Sequence, residues 1–234
     1  TDAFWAAIRD ALRARGIDAP QTLDHELSPQ EAWERENLVL SQICNLPHRL
    51  TFADSVTLVA APDLGLPDAR PGTYYSVLVA RAHDPRDELT AFDNSTIAIN
   101  DPDSQSGWGA PSAAAALAGI GFASAVVTGA HTESARAVAE GRADLAGIDV
   151  ATWRMIHRWD AFAADLRVIA RTPPTPALSY ITGGRADPEP YRAALTEALA
   201  TLPSERRDIL GLRGIVPADP AAYAALSVPP SPPA

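Results

Sequence analysis

The chain has 234 residues, 47% hydrophobic and 21% charged, a globular composition long enough for one large domain or two lobes. A net charge of −10 leaves no basic stripe to neutralise phosphates, which excludes nucleic acids and anionic membrane surfaces as partners. All 19 Lys/Arg positions are arginine, so chemistry that needs a lysine (a Walker A loop, a Schiff base, a kinase-type phosphate contact) is excluded as well.

In chain order, Phe4, Ile8 and Leu12 give Asp2 to Arg15 a helical apolar face, which Gly16 ends. Residues 21–26 read as a short strand. Ser28-Pro29-Gln30-Glu31 is a capping box opening a helix over 29–35, and 38–43 follows as a strand. Cys44 is the one cysteine, so no disulfide forms within the chain, and beside His48 it reads as structural. Residues 56–61 and the aromatic, β-branched run 73–81 are further strands. No apolar run reaches the length of a membrane helix, and the start at Thr1 rather than Met leaves room for a removed leader.

The middle of the chain repeats one unit. Strand 95–99 leads to helix 110–118, strand 124–128 to helix 132–140, and strand 144–148 to a helix near 150–158. That alternation predicts parallel sheet covered by helices. Strands at 166–171 and 177–182, helices at 188–201 and 204–211, and a last turn or two within 218–226 complete the series. The proline-rich end, 229–234, is expected to be extended and mobile. If strands 73–81 and 166–171 cross between two bodies, the chain is a hinged pair of α/β lobes. The turns that follow the strands, with Ser104–Gly107, His131, Asp149 and Thr172–Pro176, then share one rim.

The most informative stretch is Ser95–Leu117: a β-branched strand, a turn carrying Ser104, Gln105, Ser106 and Gly107, and an alanine-rich helix. A helix start of this kind presents free N–H groups, hydroxyls and a positive dipole end, a recipe for holding an oxyanion. Ordinary serine N-capping gives the same pattern. Asp101 and Asp103 do not complete a calcium loop, because Ser106 and Ser112 stand where its glycine and glutamate belong. No metal-ligand spacing and no nucleophile with its base is visible, so no metal, no cofactor and no enzyme activity are expected.

Three segments carry a family resemblance: Asp101–Pro111 (DPDSQSGWGAP), Thr128–Asp149 (TGAHTESARAVAEGRADLAGID) and Leu210–Pro217 (LGLRGIVP), with Leu40–Pro47 a fainter fourth. Together they resemble the substrate-binding components of phosphate, phosphite and phosphonate ABC transporters. The resemblance implies an α/β, two-lobed type II periplasmic-binding fold, each lobe a mainly parallel sheet flanked by helices, joined by two hinge strands. Lobe I would comprise residues 1–78 and 171–234, and lobe II 79–170.

The same resemblance implies a small phosphorus oxyanion captured between the lobes for an ABC transporter permease, by a monomer. Ser104 and Ser106 would contribute hydroxyls, Gln105 to Trp108 backbone N–H groups, and His131 an imidazole donor. Asp149 would meet the ammonium of an aminoalkyl phosphonate, and one of Tyr74 and Tyr75 would face the cleft. The chain departs from the family at Gln105, where a hydroxyl is usual, and at the bulky Trp108. The family's first strand also precedes the first helix, so further residues are expected upstream of Thr1. Localisation is then periplasmic or membrane-anchored if a leader was removed, with a cytoplasmic site left open. The alternatives are a binding protein or cytoplasmic sensor of this fold for another solute, such as a sulfonate or pyrimidine precursor, or an enzyme on the fold.

Overall fold

A computed structural model of the chain describes residues 2–234. In order, the elements are α1 (Asp2–Arg13), α2 (Pro29–Trp33), β1 (Ser41–Ile43), α3 (Asn45–Pro47), β2 (Val56–Asp63), β3 (Thr73–Tyr74), β4 (Ser76–Arg81), β5 (Ser95–Ile99) and α4 (Ala110–Leu117). They continue with β6 (Phe122–Val127), α5 (His131–Ala139), β7 (Leu145–Asp149), α6 (Val150–Trp159), β8 (Leu166–Arg171), β9 (Thr175–Pro176) and β10 (Ser179–Gly183). The last are α7 (Glu189–Thr201), α8 (Ser204–Leu210), β11 (Gly214–Pro217) and α9 (Pro220–Ala224).

Local chemistry sets these bounds. The Ser28 hydroxyl accepts from the Glu31 amide at 3.3 Å while the Glu31 carboxylate accepts from the Ser28 amide at 2.8 Å, closing the capping box. Residues 21–26 form no strand. There the Asp24 carboxylate accepts from the Glu26 and Leu27 amides, and this local turn takes donors a ladder would need.

The chain divides into two compact units. The first runs up to Thr73 and resumes at Pro176–Leu226; its sheet has the order β1-β10-β2-β11. On one face Trp5, Ile8 and Leu12 of α1 and Leu195 and Ala198 of α7 pack with Val59 and Tyr180. On the other, Ile43, Phe52, Val56 and Ile181 form a second core.

The second unit comprises Tyr74–Thr175 and Ser227–Ala234, around a five-stranded sheet of order β6-β5-β7-β4-β8. Ile97, Ile99 and Trp108 make one core cluster; Ala80, Phe92 and Leu145 make another.

Two expectations need correction here. The sheets are not mainly parallel. β6-β5-β7 are parallel, as the βα repeats predicted, but β4 pairs antiparallel with both β7 and β8, and every pair in the first unit's sheet is antiparallel. Strand direction depends on which distant strand is met, and only the three βα units carry the helical crossover that a parallel neighbour requires. The unit boundaries also lie elsewhere than at 78/79 and 170/171. Residues 74–78 and 171 belong to the second unit, because Val77 pairs with Arg171 and with Ile148 inside its sheet.

The proline-rich end differs as well. It is extended, but it lies against the second unit, where the Pro230 carbonyl accepts from the Trp108 indole at 2.7 Å and the Pro233 carbonyl from the Ala125 amide at 3.2 Å. Among the described residues no helix is long and apolar enough to cross a membrane.

Candidate oxyanion site

Every candidate ligand contact read from the sequence (Tyr74, Tyr75, Ser104–Trp108, His131 and Asp149) falls in the second unit, toward one end of its central strands. The parallel strands β5, β6 and β7 end there at Ile99, Val127 and Asp149, and the antiparallel β4 begins there at Ser76, in register with Asp149. The rim expected from strand ends thus exists within this unit, and it brings the 104–107 turn, His131, Asp149 and Thr172 together.

After β5 the chain makes a polar turn and enters a π-helical turn, Gln105–Gly109, which runs straight into α4. Ser104 is the N-cap: its hydroxyl accepts from the Gly107 amide at 2.9 Å and lies 3.5 Å from the Ser106 hydroxyl. The capping reading of Ser104 is therefore realised. The Ser106 amide lies in the first turn of this helical run, where amides have no acceptor within the helix. The run's positive dipole end adds to it. Gly107 leaves no choice of residue, because the Asn100 carboxamide occupies the place a Cβ would take.

The Ser106 hydroxyl meets His131 Nε2 at 2.8 Å. The other ring nitrogen, Nδ1, lies 3.1 Å from the Gly147 carbonyl. A carbonyl only accepts, so Nδ1 carries a hydrogen, and the Nε2 of a neutral ring accepts from Ser106. Burial pushes the His131 pKa below its ordinary value, opposed by Asp149 and by the Gly147 carbonyl. Asp149 both caps α6, accepting from the Thr152 amide at 2.9 Å, and brings its second oxygen to 3.6 Å from His131 Nε2. One carboxylate thus serves both the helix and the site residue His131.

Ser76 and Gly147, which the sequence did not single out, hold the turn, and Thr172 from the expected rim holds Ser76. The Ser76 hydroxyl donates to the Ser106 carbonyl at 2.9 Å, and the Ser76 amide donates to the Thr172 hydroxyl at 3.0 Å. Gly147 lets the turn lie directly on β7. A lone serine opening an apolar strand and a glycine inside a buried one were the available signals.

Other candidates sit differently. The Trp108 ring is buried with Ile97 and Ile99, so it is a core residue and does not line the site; its amide donates to the Ser104 carbonyl at 3.0 Å. At this helical phase the indole faces the sheet. The Gln105 side chain is tucked against Gly109, within 3.3 Å of where a Cβ would stand. Tyr74 and Tyr75 are both buried, and the Arg171 guanidinium lies 5.2 Å from the Tyr75 ring centre.

Residues 53–223, well over half the chain, match the family described as ABC transporter, phosphonate, periplasmic substrate-binding protein. The chain belongs to this family. The family consists of transporter binding components rather than enzymes, and membership implies an extracytoplasmic setting. Solved structures agree on the two-lobed fold. A Xanthomonas citri protein, XAC2383, bound to chloride ion is 16% identical, with 96% of this chain and 87% of that one covered at a TM-score of 0.69. A binding protein component of an ABC phosphonate transporter from Pseudomonas aeruginosa is 18% identical, with coverage of 94% and 78% and a TM-score of 0.66. PhnD1 of Prochlorococcus marinus in complex with methylphosphonate is 14% identical, with coverage of 95% and 80% and a TM-score of 0.62. No curated protein sequence matches the chain.

Proposed function

We propose that the protein captures a small phosphorus oxyanion (a phosphonate, phosphite or phosphate) and presents it to an ABC transporter permease. The observation that carries this reading is the Ser106 hydroxyl, set 2.8 Å from His131 Nε2 at the first turn of a helical run. An oxyanion arriving there finds hydroxyl and amide donors and a ring that can take up a proton at Nε2. These donors carry no net positive charge, which is how a chain of net charge −10 can hold an anion. Asp149 then favours a ligand with an ammonium group beyond the phosphorus. The Prochlorococcus PhnD1 structure, which holds methylphosphonate, supports the ligand class.

The test is a thermal-shift panel of phosphate, phosphite, methylphosphonate, 2-aminoethylphosphonate, sulfate and taurine, run on the protein and on Ser106→Ala. A ligand at a hundred times its Kd adds about 2.7 kcal/mol. For a chain this long that is a rise of roughly 5–10 °C. A shift with a phosphorus compound that Ser106→Ala loses is the expected result. A shift only with sulfate or taurine would overturn it.

A further inference from the structure

Trp108 joins two things that the ligand reading leaves unconnected. It follows Gly107 directly, and its amide donates to the carbonyl of the N-cap, Ser104. Its ring is buried against Ile97 and Ile99, and the one polar atom of its side chain, Nε1, donates to the Pro230 carbonyl at 2.7 Å. A second bond places the same terminal segment on β6, where the Ala125 amide donates to the Pro233 carbonyl and Ala125 is the register partner of Ile97. The segment therefore grips both the indole and the strand beneath it.

Four of its eight residues, Pro229, Pro230, Pro232 and Pro233, have φ fixed by their rings, so ordering it costs less entropy than ordering an ordinary tail. Without it the indole N–H loses its carbonyl acceptor and the ring loses the cover of that segment, which frees the ring to shift. Ring and turn meet in one residue, since the Trp108 amide is bonded to the Ser104 carbonyl, so a shift of the ring loads the backbone that follows Gly107.

We infer that Ser227–Ala234 is a positioning strap for the oxyanion-facing turn and acts through Trp108. This rests on the reading of that turn as ligand-binding, but the strap can be read without a ligand. The experiment compares the full chain, a chain ended after Leu226, Trp108→Phe (which removes the N–H and keeps an aromatic ring) and the two changes combined. Hydrogen exchange of the amides of residues 105–109 is measured without ligand, and methylphosphonate affinity by titration calorimetry.

Exchange across 105–109 should accelerate alike in both single variants while β4 amides stay protected. Affinity should fall about fivefold in each, one hydrogen bond's worth. The combination should lose no more than either alone. Unchanged exchange at 105–109 in the shortened chain, or losses that multiply when combined, would overturn the strap. If the shortened chain does not fold, Trp108→Phe decides the matter by its exchange pattern. If the full chain binds no phosphorus oxyanion, the ligand reading falls while the exchange data still judge the strap.

Discussion

A side chain at Gly147 would begin 2.9 Å from the carbonyl oxygen of Gly107, and 3.2 Å from that of Ser106. Its Cβ would also press on Pro111 at the start of α4. The turn that carries the hydroxyls thus rests on bare backbone of β7, and the Gly147 carbonyl on the same residue orients His131. Gly147→Ala should cost about 1–3 kcal/mol of stability by overpacking. It should also weaken oxyanion binding about tenfold, since displacing the turn pulls Ser106 out of hydrogen-bond reach of His131. Denaturant melts and calorimetry read the two effects separately; stability lost with affinity kept would refute the coupling.

Asp149 offers a cleaner separation of roles. Asp149→Asn keeps a side-chain oxygen for the Thr152 amide and removes only the charge, whereas Asp149→Ala loses the cap at about 1 kcal/mol. With Asn, methylphosphonate should bind severalfold tighter, because a carboxylate 3.6 Å from His131 Nε2 no longer opposes the anion. 2-Aminoethylphosphonate should bind more weakly. Equal changes for both ligands would remove Asp149 from ligand selection.

His131 predicts a pH dependence. Burial lowers its pKa in the folded protein, so the unfolded chain binds more protons as pH falls. The stability it contributes is present above the unfolded value of about 6.5 and is lost as pH drops below it. The slope should approach, at most, about 1.4 kcal/mol per pH unit. His131→Gln should flatten this step in urea melts between pH 7.5 and 5. A slope that survives the substitution would assign the effect elsewhere.

At the opposite end of the same strands, Asp84 is nearly closed off from solvent and accepts from Arg86 at 2.7 and 2.9 Å, and Arg86 reaches on to Asp144 at 2.8 Å. The Arg86 hydrogen bonds hold the Asp84 carboxyl well below the usual carboxylate range; Asp144 is lowered too, with its burial opposed by Arg86 and the Thr96 amide. Carboxylates lowered on folding stabilise above their unfolded value, about 3.9, and lose that contribution as pH falls through the folded one. Asp84→Asn should destabilise by on the order of 2 kcal/mol at neutral pH and blunt the loss of stability below pH 4. Ligand affinity should be unchanged, which distinguishes this scaffold network from the site.

What could be read from the sequence was local. The β5-turn-helix stretch announced itself because Thr96, Ile97 and Ile99 suit a strand, Ala113–Ala116 suit a helix, and the residues between suit neither. The Ser28 box and the helix opened by His131 were legible for the same reason. Antiparallel β4 and β8 were not, because a strand's own residues do not say which strand it will meet. Nor were Ser76 and Gly147. Each acts on the turn from roughly 30 to 40 residues away, by contacts that exist only once the sheet is assembled. Trp108 shows the converse: adjacency to the turn placed it in the site, and helical phase turned it into the core.

The proline tail has a consequence for crowding. β6 ends its sheet, and an open terminal strand invites pairing with a neighbouring molecule. Here the Ala125 amide is already taken by Pro233, and a segment whose prolines lack N–H groups cannot hand a ladder on to a further strand. Residues 227–234 thus blunt this strand, because their four prolines offer a neighbouring molecule no continuous row of donors to pair with.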